Sequence, residues 1–214
     1  DKLDGQPQTV VLGAGQAYID TLILPGLKYV RQATDEARIV VKNLRSRRLV
    51  EGVSADELDL AVVSEKRIAG KKFESRKLRT LNYLLFVPKE WAKEVKRGNP
   101  VEAIFELPFA TLEGTGELRS SINQIALNAG KELQLELECT SLTQVATAVK
   151  CGACCGILPD FFEGTISDKE VVSYRLSDLK GLRRKIFLIW KPSVLEFKPR
   201  IVHAIDAIEK IFKP

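Results

Sequence analysis

The chain has no methionine, a single histidine at 203, two tryptophans among 214 residues, and no apolar run near the ~18 residues of a helical membrane span. Lacking such a run, it is expected to make no membrane contact. Its opening residues, DKLDGQPQ, carry no basic-then-apolar export signal. Without methionine the chain lacks its own initiator, so it reads as a processed protein or a fragment cut from a longer one. Because there is only one histidine, any Ser-His-Asp or Cys-His nucleophile would have to use His203. That residue falls off the apolar stripe of the last predicted helix, where a solvated surface histidine is expected. No Asn-x-Ser/Thr acceptor occurs. Cysteine is scarce as well: four residues, at 139, 151, 154 and 155, suit a reducing compartment better than a disulfide framework. The cytoplasm is the expected location.

Charge is not strongly one-sided either. Lys and Arg total 33 against 28 acidic residues, a net +5. The basic clusters (Arg45, Arg47 and Arg48; Lys71 and Lys72; Arg183, Arg184 and Lys185) are short and scattered, so they read as solvated faces and not as a nucleic-acid stripe.

What is present is an alternation of strand and helix patterns with 45% hydrophobic content, enough for two small cores. Strands are predicted at Thr9–Leu12, Arg38–Lys42 and Leu58–Val63, with helices at Ile19–Val30, where Pro25 is tolerated early, and at Ser46–Val53. Lys71–Arg79 has turn and surface character. A continuous apolar strand, Leu81–Val87, then stops at Pro88. In a second series, Ala103–Leu107 and Leu133–Leu137 read as strands around a helix from Leu118 to Ala129. Val171–Tyr174 and the apolar Lys185–Trp190 are strands, and Phe197, Ile201, Ile205, Ile208 and Phe212 mark a terminal amphipathic helix. Such βα alternation predicts an α/β fold with parallel sheets. Two series without a linker predict two lobes joined by the long apolar strands. The expected division is residues 1–84 with 190–214, and 85–189.

The segment Ser141–Pro159, SLTQVATAVKCGACCGILP, is the most informative. Leu142, Val145, Ala146 and Val149 form one apolar helical stripe, Thr140 or Ser141 can cap its start, and Gly152 can end it. ACCGIL reads as a buried strand. Cys151 and Cys154 have a Cys-x-x-Cys spacing, but a structural zinc needs four ligands, and adjacent Cys154 and Cys155 in one strand point to opposite faces. The cysteines are therefore expected in the core, with no metal. Gly13-Ala14-Gly15 opens a helix after a strand and invites a dinucleotide site. The third glycine position is Tyr18 and the expected acidic residue is Asn43, so that reading fails. A glycine-rich turn with free N–H donors remains. Asp59, inside LDLAVV, is read as structural, and Arg119 as either a surface arginine or an anion clamp.

These segments in this order, TVVLGAGQAYIDTLILPGL, LVEGVSADELDLAVV, LLFVPKEW, SLTQVATAVKCGACCGILP and KIFLIWKP, resemble the effector-binding domain of LysR-type transcriptional regulators. The likeness covers nearly the whole chain. It departs at Cys154, where relatives often have glycine, at Trp91, where they often have histidine, and at Asp56, where they often have glycine. The resemblance implies a type 2 periplasmic-binding-protein fold, two Rossmann-like lobes joined by two crossing strands, with a small-molecule effector in the cleft. It places effector contacts at Gly15, Gln16, Ala17 and Tyr18, at Ser46, at Ser64, at Gly116 to Arg119, and at Thr140 and Ser141. It implies no catalytic residues, no cofactor and a homodimer or homotetramer. DNA would be bound only through an N-terminal domain outside this chain. A polar or anionic effector suits these groups, and a solute-binding protein of a transport system is the alternative on the same fold.

Overall fold

The computed structural model describes residues 8–65, 73–95, 99–166, 169–179 and 182–213. The strands among them are β1 (Thr9–Ala14), β2 (Arg38–Asn43), β3 (Leu60–Ser64), β4 (Glu74–Leu81), β5 (Tyr83–Pro88), β6 (Phe109–Leu112), β7 (Leu135–Cys139), β8 (Cys155–Pro159), β9 (Val171–Arg175) and β10 (Arg184–Trp190). The α-helices are α1 (Gln16–Tyr18), α2 (Leu27–Ala33), α3 (Ser46–Ser54), α4 (Ala103–Glu106), α5 (Glu117–Ala129), α6 (Leu142–Lys150), α7 (Val194–Phe197) and α8 (Ile201–Phe212). The chain divides into two compact units, residues 1–80 with 184–214 and residues 81–183. It passes between them at Thr80/Leu81 and Arg183/Arg184, ahead of the two long apolar strands, whereas the sequence pattern put the passages at 84/85 and 189/190. Each of those strands is an inner member of one sheet, with partners on both sides, and so lies in one unit.

In the first unit the sheet order is β2-β1-β3-β10-β4, with β1 parallel to β2 and β3, and β10 antiparallel to β3. Side chains of a strand alternate between faces, which separates two cores. Ala61, Val63 and Ile189 pack with Leu49, Val50 and Val53 of α3, while Leu60, Val62 and Leu188 are buried as the alternate set. Helix α8 packs on α2 and buries Ile201, Ile205, Ile208 and Phe212. Gly13 is a packing glycine: a Cβ there would lie 2.6 Å from Leu58 Cδ1 and 2.7 Å from Leu49 Cδ2.

The second unit repeats the plan in the order β7-β6-β8-β5-β9, with β6 parallel to β7 and β8, and β5 antiparallel to β8 and β9. Leu118, Ile122 and Ile125 of α5 share a core with Phe109, Cys155, Ile157 and Leu85. Helix α6 covers β6 and β8. It ends as its glycine predicts, with Gly152 at φ 76°.

Four sequence expectations need correction. Ala103–Leu107 is a helical turn, not a strand; a 3-10 turn from Pro100 leads into it, and the strand starts only after Pro108. A run that short is ambiguous by periodicity alone. The polar stretch up to Arg79 belongs to edge strand β4, with Leu78 and Leu81 buried and the charged side chains outward, as edge strands require; Lys71 and Lys72 lie outside the described residues. The apolar run 81–87 breaks at Asn82, whose side-chain amide donates to Asp160 Oδ2 at 3.0 Å. Phe197 ends α7 and is 80% exposed, because Lys198 leaves helical geometry ahead of Pro199, so the buried stripe begins at Ile201.

Strand β4 is tied to α8 by Arg76, which pairs with Asp206 and with Glu209 at 3.1 Å. Lys213, bonded at 2.9 Å, and Arg76 hold the Glu209 carboxyl below its ordinary 4.5. A carboxylate more acidic when folded adds stability above its unfolded pKa and loses it as pH falls through the folded value. Wild type should therefore unfold at higher urea than Glu209→Gln at pH 6 in low salt, and the two should converge in acid. Equal midpoints throughout would show the tie to be inert.

The cysteines divide differently from the expectation. Cys139, Cys154 and Cys155 are buried, while Cys151 at the end of α6 is exposed. Burial pushes the Cys155 thiol up to about 12, so it stays protonated and unreactive at neutral pH. Native protein should show one rapidly titrating thiol, lost in Cys151→Ser, and four after denaturation. Two or more fast thiols in the native state would contradict this packing.

Candidate functional site

In the first unit the predicted residues gather at one edge of the sheet. The carboxyl ends of parallel β1, β2 and β3 are Ala14, Asn43 and Ser64. Gly15 to Tyr18 follow the first, Ser46 opens α3 after the second, and Ser64 ends the third. Open α/β sheets bind ligands at such edges, since helix N–H groups and strand ends converge there. Gly15 is the N-cap of α1 and Arg45 that of α3, and neither makes a side-chain capping bond. Main-chain donors are thus left open at both starts. Gln16 donates to Asp20 Oδ1 at 2.7 Å, which fixes its amide, and Thr21 donates to the Ala17 carbonyl at 2.5 Å. After α1 the chain runs as a π-helix over Ile19–Ile23, a geometry frequent at functional sites and invisible to a 3.6-residue pattern.

In the second unit the same relation holds for β6 and β7. Gly116 is the N-cap of α5, again without a side-chain cap, and a Cβ on it would meet nothing within 4 Å. Ser141 caps α6 in a full capping box: its Oγ accepts the Gln144 N–H at 3.3 Å, and Gln144 Oε1 accepts the Ser141 N–H at 3.3 Å. Thr140 donates its N–H and its hydroxyl to that Oε1, each at 3.0 Å. Ser141 Oγ also pairs with Thr143 Oγ1 at 2.9 Å, so the first turn of α6 is internally satisfied and stiff, and the Thr140 hydroxyl, which donates to Gln144, keeps lone pairs for a ligand.

Arg119 is not the free clamp that the sequence allows. Its Nε donates to Asn123 Oδ1 at 3.1 Å, and its Nη1 lies 3.0 Å from Glu138 Oε1 on β7. The angle at that pair makes no hydrogen bond, and Nη1 is sealed from solvent. Glu138 and the buried Thr111, whose hydroxyl has no partner among the described residues, were not marked by any sequence signal. Their importance depends on strand register, which pairs Thr111 with Glu138. Asp59 is confirmed as a buried structural acid, bonded to Lys198 and to the Val11 N–H. His203 is exposed. A shallow cavity of about 350 Å³ lies along α2 between Leu27 and Glu36 and touches none of the predicted residues. Among the described residues no helix is long and apolar enough to cross a membrane.

Residues 4–207 match the LysR substrate binding domain. The chain belongs to that family. Solved LysR-family structures share its fold at low identity, which places the two sheets and their strand ends on a known plan. The regulatory domain of OxyR2 from Vibrio vulnificus, in its reduced form, is 16% identical, with a TM-score of 0.70 over 99% of each chain. Full-length OxyR from Pseudomonas aeruginosa is 13% identical, with a TM-score of 0.72 over 95% of this chain and 74% of that one. CbnR, a LysR family transcriptional regulator, is 13% identical, with a TM-score of 0.68 over 94% of this chain and 68% of that one. No curated protein matches the sequence. The LysR substrate-binding domain is the ligand-sensing part of a transcriptional regulator, so the regulator reading stands and the transport alternative has no support from the family match.

Proposed function

We propose that this LysR domain senses a small polar or anionic metabolite in the cytoplasm and performs no catalysis. The observation that carries the reading is that, in each unit taken by itself, the predicted residues sit at the carboxyl ends of the parallel strands, beside the starts of α1 and α3 in the first unit and of α5 in the second, which lack side-chain caps, and beside the Ser141-capped start of α6. Such an edge supplies fixed N–H donors without demanding a charged side chain for each contact. Gly15 to Tyr18, Ser46 and Ser64 of the first unit and Gly116, Arg119, Thr140 and Ser141 of the second are the groups proposed to contact the effector. Differential affinity for two conformations of the domain would shift their populations, and a homodimer or homotetramer would pass the shift to DNA-binding heads. DNA contact in this scheme belongs to a separate N-terminal domain; full-length CbnR has been solved with its target DNA.

A calorimetric screen of small anions, amino acids and aromatic acids tests the reading. Hits should weaken at least tenfold, about 1.4 kcal/mol, in the combined Ser46→Ala, Arg119→Ala, Thr140→Ala variant. Hits indifferent to all three changes would place the effector elsewhere.

A further inference from the structure

We propose that Glu138 is an internal counter-ion occupying the seat on Arg119 that an effector's carboxylate, or another small oxyanion, takes on binding. This deepens the effector-sensing reading and rests on it. The pair is unequal: the Arg119 side chain is 15% exposed and that of Glu138 50%. Arg119 is further anchored through Nε to Asn123, one turn along α5, whereas Glu138 stands on edge strand β7. The exchangeable member is therefore the carboxylate. Its hold is poor, since Nη1 is already stripped of water but gains no hydrogen bond from an oxygen 3.0 Å away. A carboxylate or sulfate that arrives in the guanidinium plane makes the charge-assisted bonds that Glu138 does not.

Three further features converge on this spot. Helix α5 is 13 residues long, and its start at Gly116 has no side-chain cap. Gly114 and Gly116 leave open space over the turn. Opposite Glu138 in the β6–β7 ladder lies Thr111, only 3% exposed, with no partner for its hydroxyl among the described residues. Ladder partners share a face of the sheet, so Thr111 points to the same side as Glu138. Glu138 meets Arg119 of α5 on that side. A buried hydroxyl without a partner costs stability unless something completes it. Glu113 is exposed and donates its N–H to the Cys139 carbonyl at 2.9 Å, which puts a second carboxylate residue beside the end of β7.

The test is calorimetric titration of the 214-residue chain with sodium sulfate and with succinate, ionic strength held constant with sodium chloride. Glu138→Gln should tighten binding about two- to five-fold, the factor equivalent to a surface ion pair of roughly 0.5–1 kcal/mol. Glu113→Gln removes the same charge without touching Arg119 and should change affinity less. Arg119→Gln should abolish binding, and Arg119→Lys should weaken it while keeping the fold. Thr111→Val should weaken binding without lowering the melting temperature of the anion-free protein, which a merely structural role would not produce. The proposal is overturned if neither anion binds the wild type or Glu138→Gln, if Glu138→Gln and Glu113→Gln act alike, or if Arg119→Gln still binds. Effectors that depend on Ser46 and Thr140 but not on Arg119 or Glu138 would overturn it and leave the sensing role standing.

Discussion

Replacement of Asp59 by alanine should lower the stability of the first unit by about 2–4 kcal/mol. Asp59, 8% exposed, precedes β3 and accepts the Val11 N–H at 2.7 Å and the Lys198 ammonium at 2.9 Å through both oxygens. The same ammonium donates to the Thr9 carbonyl at 3.0 Å, so one carboxylate joins the start of β1, the start of β3 and the α7–α8 connection. Removing one partner of a buried pair costs roughly 3–5 kcal/mol because the other charge is left uncompensated. Lys198 is 31% exposed and water recovers part of that loss, while the orphaned Val11 N–H adds about 1 kcal/mol or more. Asp59→Asn keeps an acceptor for Val11 and should cost less than the alanine change. Urea denaturation reads both variants. A midpoint unchanged in Asp59→Ala would show that the carboxylate holds nothing.

Gly156→Val should be nearly as damaging, and in the other unit. A Cβ at Gly156 would lie 2.7 Å from Val145 Cγ1, 3.2 Å from Val149 Cγ2 and 3.4 Å from the Ala110 carbonyl. The first two contacts are side chains of α6, which must lift from the sheet; overpacking of this kind costs about 1–3 kcal/mol. Because α6 carries Ser141 and Gln144 at its start, the lift also moves Thr140 and Ser141, so effector affinity should fall together with stability. Gly116→Ala is the control: φ there is −65° and nothing lies within 4 Å, so it should fold as the wild type does. Equal stability of the two variants would refute the close packing of α6 on β8.

Much of this was legible in the sequence, for reasons that differ by element. Val145, Ala146 and Val149 form the buried stripe of α6, and Gly152 takes the positive φ its position requires, because helix periodicity and a glycine stop are local signals. The positions of Gly15, Ser46, Gly116 and Ser141 at helix starts were equally local. What escaped was set by partners distant in sequence. Asp59 finds Lys198 139 residues away, and Arg119 on α5 meets Glu138 on the neighbouring strand β7, whose ladder with β6 shifts register at Phe109/Ala110. Strand β4 was missed because an edge strand keeps few apolar residues, and Phe197 was misplaced because Pro199 separates it from α8. The buried Cys154 fits the core, but nothing in the structure explains the choice of cysteine there.

The most direct test of effector sensing is a crystal structure of the chain with a hit from the calorimetric screen. The account predicts ligand density against the predicted strand-end groups: the N–H groups that open α1 or α3, Gly116 to Arg119, or Thr140 and Ser141. Density confined to the cavity along α2, between Leu27 and Glu36, with those helix starts untouched, would contradict it.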